Sequence, residues 1–222
     1  ARELAPDIVV FDRFVIEEQF GWRIYEQVPE ALRVVDSQDL HFLRRERERM
    51  VTSGANSMQA LAPSFSAPNE DITRELASFW RSDAVIVLSS FERDLLVRDF
   101  GFEPERLIMN RFLYQAWGAG AAFGERAGFG WIGNFRHLPN ADGLRFLLSE
   151  VWPLIRSQLP DAELRVWGAY PSKEFSEMRV PGVRFLGEAP DVGGALGSVR
   201  VSLAPLRFGA GIKGKVSDSW VA

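Results

Sequence analysis

The sequence has 222 residues, no cysteine, two histidines and a net charge of −4. The lack of cysteine excludes disulfides and cysteine-bound zinc or iron–sulfur sites, and two histidines argue against a multi-histidine metal site. Mild acidity argues against a nucleic-acid partner, because phosphate-backbone binding needs a basic surface. No membrane-spanning run or signal peptide is recognisable. We therefore expect a cytoplasmic protein, with peripheral membrane contact of the full-length protein left open.

Short apolar runs alternate with longer amphipathic segments in the first half of the chain. Consecutive apolar residues predict strands that are buried on both faces of a parallel sheet. The predicted strands are 7–11, 32–35, 84–88 and 106–109. The predicted helices are 17–27, 43–50, 71–81 and 91–100.

Local signals mark the ends of these elements. Ser89 and Glu92 form a predicted capping box, with Glu92 reaching back to the backbone of Ser89. Gly101 stands where a C-capping glycine is expected. Residues 52–69 are rich in Ser, Gly, Asn and Pro and predict a loop, and the Gly- and Ala-rich segment 116–128 predicts a linker.

The same alternation resumes after the linker. The predicted strands are 129–132, 163–167, 183–186 and 199–204, and the predicted helices are 141–158, 191–197 and one starting near Lys215. Pro153 should kink or break the long helix. The repeated strand–helix order predicts an α/β fold with two Rossmann-like domains, 1–115 and 129–222. Since the chain begins close to a buried strand and ends in the first turns of a helix, we expect both domains to be truncated.

Glycine or proline follows each predicted strand of the second half. These residues are Gly133, Gly168, Gly187 and Pro205. Ligands of doubly wound sheets bind beyond the carboxyl ends of the strands, where glycine lets a ligand approach the backbone. A tight turn explains any single one of these residues equally well. The four together, with basic residues beside two of them, favour a ligand site.

The loop after the last strand carries the densest signal. It contains three glycines and two lysines: Gly209, Gly211, Gly214, Lys213 and Lys215. It is no magnesium-binding P-loop, because Val216 stands where Ser or Thr is required, and a dinucleotide fingerprint would follow the first strand. Backbone N–H groups, a helix N-terminus and two ammonium groups would hold a diphosphate. A solvated basic loop is the alternative.

Motifs in both halves carry a family resemblance. The segments GNF at 133–135, LPNAD at 138–142, EVWPLI at 150–155 and APLRFGAGIKGKV at 204–216 resemble the donor-binding domain of retaining glycosyltransferase family 4, within the GT-B group 1 glycosyltransferases. The segments DSQDLH at 36–41 and DAVIVLS at 83–89 resemble its acceptor-side domain. The resemblance implies a GT-B fold, with the acceptor-side domain first and the donor-binding domain second.

The resemblance also implies roles for individual residues. The implied donor-binding residues are Gly133, Asn134, Arg136, Gly168, Arg207, Phe208, Gly209, Ala210, Gly211 and Asp218. The implied catalytic residues are His41, Lys213 and Lys215. Two departures from the family pattern stand out: Asp218 replaces a ribose-binding Glu, and no glycine-rich strand–loop opens the first domain.

The function implied is transfer of a sugar, as in hexosyltransferases, from a nucleoside-diphosphate donor to an acceptor hydroxyl with retention of configuration. The acceptor would be a glycan, a lipid-linked molecule or a small molecule. No metal or other cofactor is expected, because lysines would stabilise the leaving diphosphate. The truncated chain alone is expected to be inactive. A sugar-nucleotide epimerase and a non-catalytic nucleotide-sugar-binding protein remain alternatives, and product analysis with and without acceptors would separate transferase from epimerase.

Single residues in the first half allow two interpretations. His41 either faces the donor sugar or is structural. Asp36 and Asp39 form either a carboxylate pair or loop caps. The four arginines of the helix after His41 alternate with glutamates and predict a solvated, charged face. These arginines are Arg44, Arg45, Arg47 and Arg49.

Overall fold

The computed structural model of the chain describes residues 2–65, 69–115, 117 and 121–222. Contacts divide the chain into two compact units, Ala1–Phe112 with Phe208–Ile212 and Leu113–Arg207 with Lys213–Ala222. Among the described residues, each unit holds a four-stranded parallel sheet. The predicted α/β class with two parallel sheets is confirmed. The domain bounds 1–115 and 129–222 stay a prediction, and residues 116 and 118–120 of the predicted linker lie outside the described residues.

The sheet of the first unit has the strand order β1-β2-β3-β4. Its strands are β1 (Ile8–Asp12), β2 (Leu32–Asp36), β3 (Ala84–Val87) and β4 (Leu107–Met109). Its helices are α1 (Phe14–Gln27), α2 (His41–Thr52), α3 (Ser57–Leu61), α4 (Glu70–Arg81) and α5 (Ser90–Phe100), with a 3-10 turn at Pro104–Arg106. In-register pairing aligns Val35 with Val85 and Val85 with Leu107.

The two faces of this sheet differ in burial. One face forms the core of the unit through Phe11, Val35, Val85, Val87 and Leu107. The other face carries Ile8, Val10, Leu32 and Ile108, which are 47–56% exposed. The expected burial of these strands on both faces is therefore wrong at these four positions. Consecutive apolar residues predict the strands, but they do not show which face of the sheet is covered by other parts of the chain.

Capping chemistry explains two helix ends in the first unit. Gly101 adopts the left-handed conformation (φ 69°) and ends α5, and the Phe102 N–H bonds to the Leu96 carbonyl at 3.1 Å. Helix α3 lies inside the segment predicted as a loop, and residues 66–68 of that segment lie outside the described residues. Asn56 and Gln59 cap α3 reciprocally, at 2.9 and 3.0 Å. That Asn-x-x-Gln spacing was the missed signal.

The sheet of the second unit has the strand order β7-β6-β5-β8. Its strands are β5 (Phe129–Ile132), β6 (Leu164–Trp167), β7 (Val183–Gly187) and β8 (Val201–Ser202). Its helices are α6 (Leu138–Phe146), α7 (Trp152–Gln158), α8 (Lys173–Glu177), α9 (Val192–Gly197) and α10 (Gly214–Val221), with a 3-10 turn at Phe123–Glu125. Strand β8 is shorter than the predicted 199–204, and helix α8 was not predicted.

The predicted disturbance at Pro153 takes the form of a π-helical stretch. Helix α6 continues through π-helical Leu147–Val151 into α7. Pro153 has no N–H to donate to the carbonyl one turn earlier, so the ladder of hydrogen bonds changes there. Trp152 anchors the junction: its side chain is 1% exposed and its Nε1–H donates to the Pro181 carbonyl at 3.0 Å.

Candidate functional site

Two predicted site glycines pack against each other beyond β5 and β6. A Cβ on Gly168 would lie 2.3 Å from the Gly133 carbonyl oxygen and 2.4 Å from the Phe135 ring. A Cβ on Gly133 would lie 2.8 Å from the Trp131 ring. Close packing of the two loops therefore accounts for both glycines without a ligand. Their predicted donor-binding role stays a prediction.

Asn134 shapes the loop after β5. Its side-chain oxygen accepts the Arg136 N–H at 2.8 Å, which closes an Asx turn. Its carbonyl accepts the side-chain N–H of Asn140 at 3.0 Å. The Arg136 guanidinium lies 3.8 Å from the centre of the exposed Tyr170 ring. Arg136 is thus oriented by cation–π contact, at the carboxyl end of the second sheet.

Lys215 lies in the first turn of α10 and joins this loop through Asn140. Its ammonium donates to the Asn140 side-chain oxygen at 2.8 Å and lies 4.7 Å from the centre of the Trp131 ring. Burial, aided by the charge of Lys213, lowers the pKa of Lys215 to about 8. The chain therefore holds a partly desolvated ammonium at a helix N-terminus, an arrangement suited to an anion.

Asp218 follows Lys215 on the same helix. Its Oδ2 would lie 4.0 Å from a Cβ placed on Gly214, so the carboxyl group faces the start of α10. Burial raises the pKa of Asp218. The position beside the lysine-bearing turn is compatible with the predicted contact to a donor hydroxyl, which stays a prediction.

The side chain of Arg207 is hydrogen-bonded to a carboxylate within the second unit. Its Nε donates to Asp142 at 2.9 Å, and a second guanidinium nitrogen donates to the other oxygen of that carboxylate. This hydrogen bonding raises the pKa of Arg207. The guanidinium is thereby tied to α6, so any contact of Arg207 with a donor would have to share it with Asp142.

The residues after Arg207 pack into the first unit. Phe208 is buried with Val51 and Ala60, and Ala210 belongs to the main core of that unit. The guanidinium of Arg47 donates to the carbonyls of Gly209 and Leu61, both at 2.6 Å.

Arg47 therefore departs from the predicted solvated face. Burial lowers its pKa, and Phe91 stacks 4.9 Å from the guanidinium. Arg47 lies four residues from buried Leu43 and four from buried Val51, so the helical period places it on the buried stripe.

Gly211 lies against the turn before α2. Its φ is 64°, and a Cβ there would lie 3.0 Å from both the Asp39 Cβ and the Gln38 carbonyl oxygen. Its N–H donates to Glu92 Oε1 at 2.8 Å. The same oxygen accepts the Leu40 N–H at 3.0 Å.

These contacts correct half of the predicted capping box. Ser89 accepts the Glu92 N–H at 3.2 Å as expected. The Glu92 carboxylate, expected to reach the Ser89 N–H, instead accepts the Ser89 hydroxyl at 2.8 Å together with the N–H groups of Leu40 and Gly211.

His41 begins α2 beside buried Glu75 and partly buried Asp39. The N–H groups of His41 and Phe42 donate to Glu75 at 3.0 and 2.8 Å. The His41 Nε2 lies 3.3 Å from Asp39 Oδ1. Burial lowers the pKa of His41 to about 4, against the opposing charge of Asp39, so the imidazole is neutral at pH 7. Its structural and donor-facing interpretations both remain open.

Glu75 was not predicted from the sequence, and Glu92 was predicted only as part of a capping box. Both are 1% exposed. Burial raises the pKa of Glu75 to about 8. Glu75 shares a helix stripe with Ile72 and Phe79, and Glu92 shares one with Leu95 and Leu96. A carboxylate on a buried stripe was the signal that could have found them.

The described residues lack two features, a cluster of metal ligands and a membrane-spanning helix. No group of three or more acidic or histidine side chains converges there as metal ligands. None of the helices found there combines the length and apolarity that crossing a bilayer requires.

Residues 126–222 match the sequence profile of a family described as glycosyl transferases group 1. Solved structures are also similar. TarM aligns at TM-score 0.69 with 13% identity, over 98% of this chain and 40% of TarM. A variant of S. aureus TarM in complex with fondaparinux, alpha-GlcNAc-glycerol and UDP aligns at TM-score 0.68 with 11% identity, over 98% of this chain and 40% of that variant. The pneumococcal O-GlcNAc transferase GtfA, in complex with UDP and GlcNAc, aligns at TM-score 0.61 with 13% identity, over 99% of this chain and 41% of GtfA.

The chain thus spans about two fifths of the length of these structures. At such low identity the structural matches establish the fold, which is that of GT-B Rossmann-like proteins. No curated protein matches the sequence significantly.

Proposed function

We propose, on the premise that residues 126–222 belong to the glycosyl transferases group 1 family, that the intact protein transfers a sugar from a nucleoside-diphosphate donor to an acceptor hydroxyl. The family assignment agrees with the predicted resemblance at the level of group 1. Family 4, retention of configuration and a hexose as the transferred sugar are finer proposals that rest on that resemblance.

The observation that carries the proposal is the setting of Lys215. Its ammonium is held by Asn140 over Trp131 at the start of α10, with Lys213 close enough to lower its pKa. Two positive charges at a helix N-terminus would stabilise the negative charge that develops on a leaving diphosphate. We therefore propose that Lys213 and Lys215 carry that role and that transfer needs no metal.

The donor and the acceptor are proposed from the neighbours. TarM and GtfA were solved with UDP, so UDP-sugars, and UDP-GlcNAc first, are the donors to test. Acceptors to test are glycerol, a glycan and a lipid-linked alcohol. Product mass would identify transfer, and the anomeric coupling constant of the product would report retention.

The variant Lys215→Met tests the assignment of the site. It keeps the length of the side chain and removes the charge, so UDP affinity of the intact protein should fall roughly tenfold or more. The control is Lys173→Met, since Lys173 is 85% exposed on α8 and outside the site. Equal UDP affinity in wild type and Lys215→Met would reject the site. Sugar conversion without acceptor would favour an epimerase, and UDP-sugar binding without turnover would favour a non-catalytic protein. Turnover that EDTA abolishes would contradict the metal-free proposal.

A further inference from the structure

One buried carboxylate joins two segments that sequence reasoning linked to the reaction. Glu92 Oε1 accepts the Gly211 N–H at 2.8 Å and the Leu40 N–H at 3.0 Å. Gly211 belongs to the glycine loop, and Leu40 immediately precedes His41. The three residues lie far apart in sequence: Glu92 is 119 positions from Gly211 and 52 positions from Leu40. A single oxygen atom therefore bonds to both segments.

The carboxylate is itself held in place. Its second oxygen accepts the Ser89 hydroxyl at 2.8 Å, and the Ser89 side chain caps the helix that carries Glu92. The residue is 1% exposed, so water competes little for these bonds. A buried carboxylate with three donors is a rigid anchor rather than a solvated charge.

The backbone of the glycine loop is fitted to the same turn. Gly211 has a left-handed φ of 64°, and the space for a Cβ is filled by Asp39 and the Gln38 carbonyl at 3.0 Å. Gln38 is also left-handed, with φ 60°. The close approach leaves no room for a side chain at position 211, and the bond to Glu92 holds the two backbones in register.

We propose that Glu92 is a positioning residue for sugar transfer, which fixes Gly211 against the turn that carries Asp39 and His41 within the first unit. This inference rests on the proposed function. It also assigns the Gly211 N–H to Glu92 instead of to a bound diphosphate. Because Glu92 accepts its hydrogen bonds from the Leu40 and Gly211 N–H groups and from the Ser89 hydroxyl, its loss should affect the rate of transfer more than the binding of UDP.

The test compares variants of the intact protein in transfer assays with UDP-GlcNAc. Glu92→Leu should lower kcat roughly tenfold or more, because misplacement of reacting groups by about 1 Å costs up to 100-fold, while the Kd for UDP changes less than about threefold. Glu92→Gln keeps an acceptor oxygen and should restore kcat to within about threefold of wild type. Leu95→Ala is the control for lost stability, since Leu95 is 2% exposed on the same helix.

Gly211→Ala provides a second variant in case Glu92→Leu does not fold. It retains the carboxylate but forces the two backbones apart, so it should reproduce the loss of kcat. The proposal would be overturned by a kcat loss in Glu92→Leu no larger than in Leu95→Ala, by an equal loss in Glu92→Gln, or by a normal kcat in Gly211→Ala.

Hydrogen exchange separates this inference from the proposed function. If wild type turns over no donor, the proposed function fails, but the anchor can still be measured. Amide exchange at Leu40 and Gly211 should accelerate together in Glu92→Leu, and by more than in Leu95→Ala, which reports the effect of lost stability alone. Unchanged exchange at both amides would refute the anchor whatever the activity.

Discussion

Binding of UDP to the intact protein should take up protons near pH 8. Burial and the charge of Lys213 lower the pKa of Lys215 to about 8, so about half of the ammonium is deprotonated at that pH. A diphosphate in contact with the ammonium raises its pKa, by about 2 units for a close opposite charge. The bound lysine would then be almost fully charged.

The magnitude follows from these two pKa values. Uptake should be about 0.5 proton per UDP at pH 8 and about 0.1 at pH 7, because the free lysine is already charged at the lower pH. By linkage, UDP affinity should fall as the pH rises from 7 towards 10. The terminal phosphate of UDP, with a pKa of about 6, is almost fully ionised at pH 8, so the ligand itself contributes little to proton uptake at that pH.

Isothermal titration calorimetry in buffers of different ionisation enthalpy measures this uptake directly. Lys215→Arg is the informative variant, because arginine stays protonated and should bring the uptake at pH 8 below about 0.1. Lys173→Met should behave as wild type. An uptake below about 0.1 in wild type at pH 8, or an undiminished uptake in Lys215→Arg, would refute the assignment of Lys215 as the diphosphate-binding ammonium.

Three further predictions concern stability. Since burial raises the pKa of Glu75 from 4.5 to about 8, its contribution to the free energy of unfolding should fall as the pH rises through that window. The lowered pKa of His41 acts in the opposite direction below about pH 6.5, so the fall in urea titrations should be clearest between about pH 6.5 and 8. Glu75→Gln should flatten this fall, and an unchanged pH profile would contradict burial as the cause. Gly168→Ala places a Cβ 2.3 Å from the Gly133 carbonyl and should cost about 1–3 kcal/mol or more. Gly124→Ala meets nothing within 4 Å and should stay within about 0.5 kcal/mol, so equal melting temperatures for the two variants would contradict the clash. Trp152→Ala should cost about 3–5 kcal/mol in urea unfolding, and a loss under about 1 kcal/mol would show that the π-helical junction does not depend on it.

Local pattern was enough to locate the strands. Strand β5 was predicted at its observed bounds and β2 to within one residue, because strands inside a parallel sheet are continuous apolar runs. Strand β8 is shorter than predicted and has only two residues. The sequence cannot show this, because apolar residues next to a strand resemble the apolar residues within it. The exposed face of β1 has the same origin: apolarity does not report what covers a side chain.

The site was predictable only in part. Lys215 and Asn134 could be proposed for the site because glycines and basic residues after strands are visible along the chain, and their roles stay predictions. The bonds of Glu92 to Gly211 and of Arg47 to Gly209 span 119 and 162 residues, and such pairs follow from tertiary packing alone. The sequence does indicate that Arg47, Glu75 and Glu92 each need a bonding partner, because all three lie on buried helical stripes. The sequence does not show which residue that partner is.

These long-range bonds also separate the residues of the glycine loop that are bonded to the protein from those that are suited to bind a diphosphate. The Gly209 carbonyl is taken by Arg47 and the Gly211 N–H by Glu92, so this part of the loop is bonded to the protein. The groups with chemistry suited to a diphosphate are then the ammonium of Lys215, with its lowered pKa, and the neighbouring Lys213. Glycine at 211 is explained by the close approach to Gln38 and Asp39, without appeal to a phosphate. We therefore expect alanine at 211 to impair the rate of transfer and loss of charge at 215 to impair UDP binding. A loss of UDP affinity in Gly211→Ala as large as that in Lys215→Met would show that the loop backbone binds the diphosphate after all.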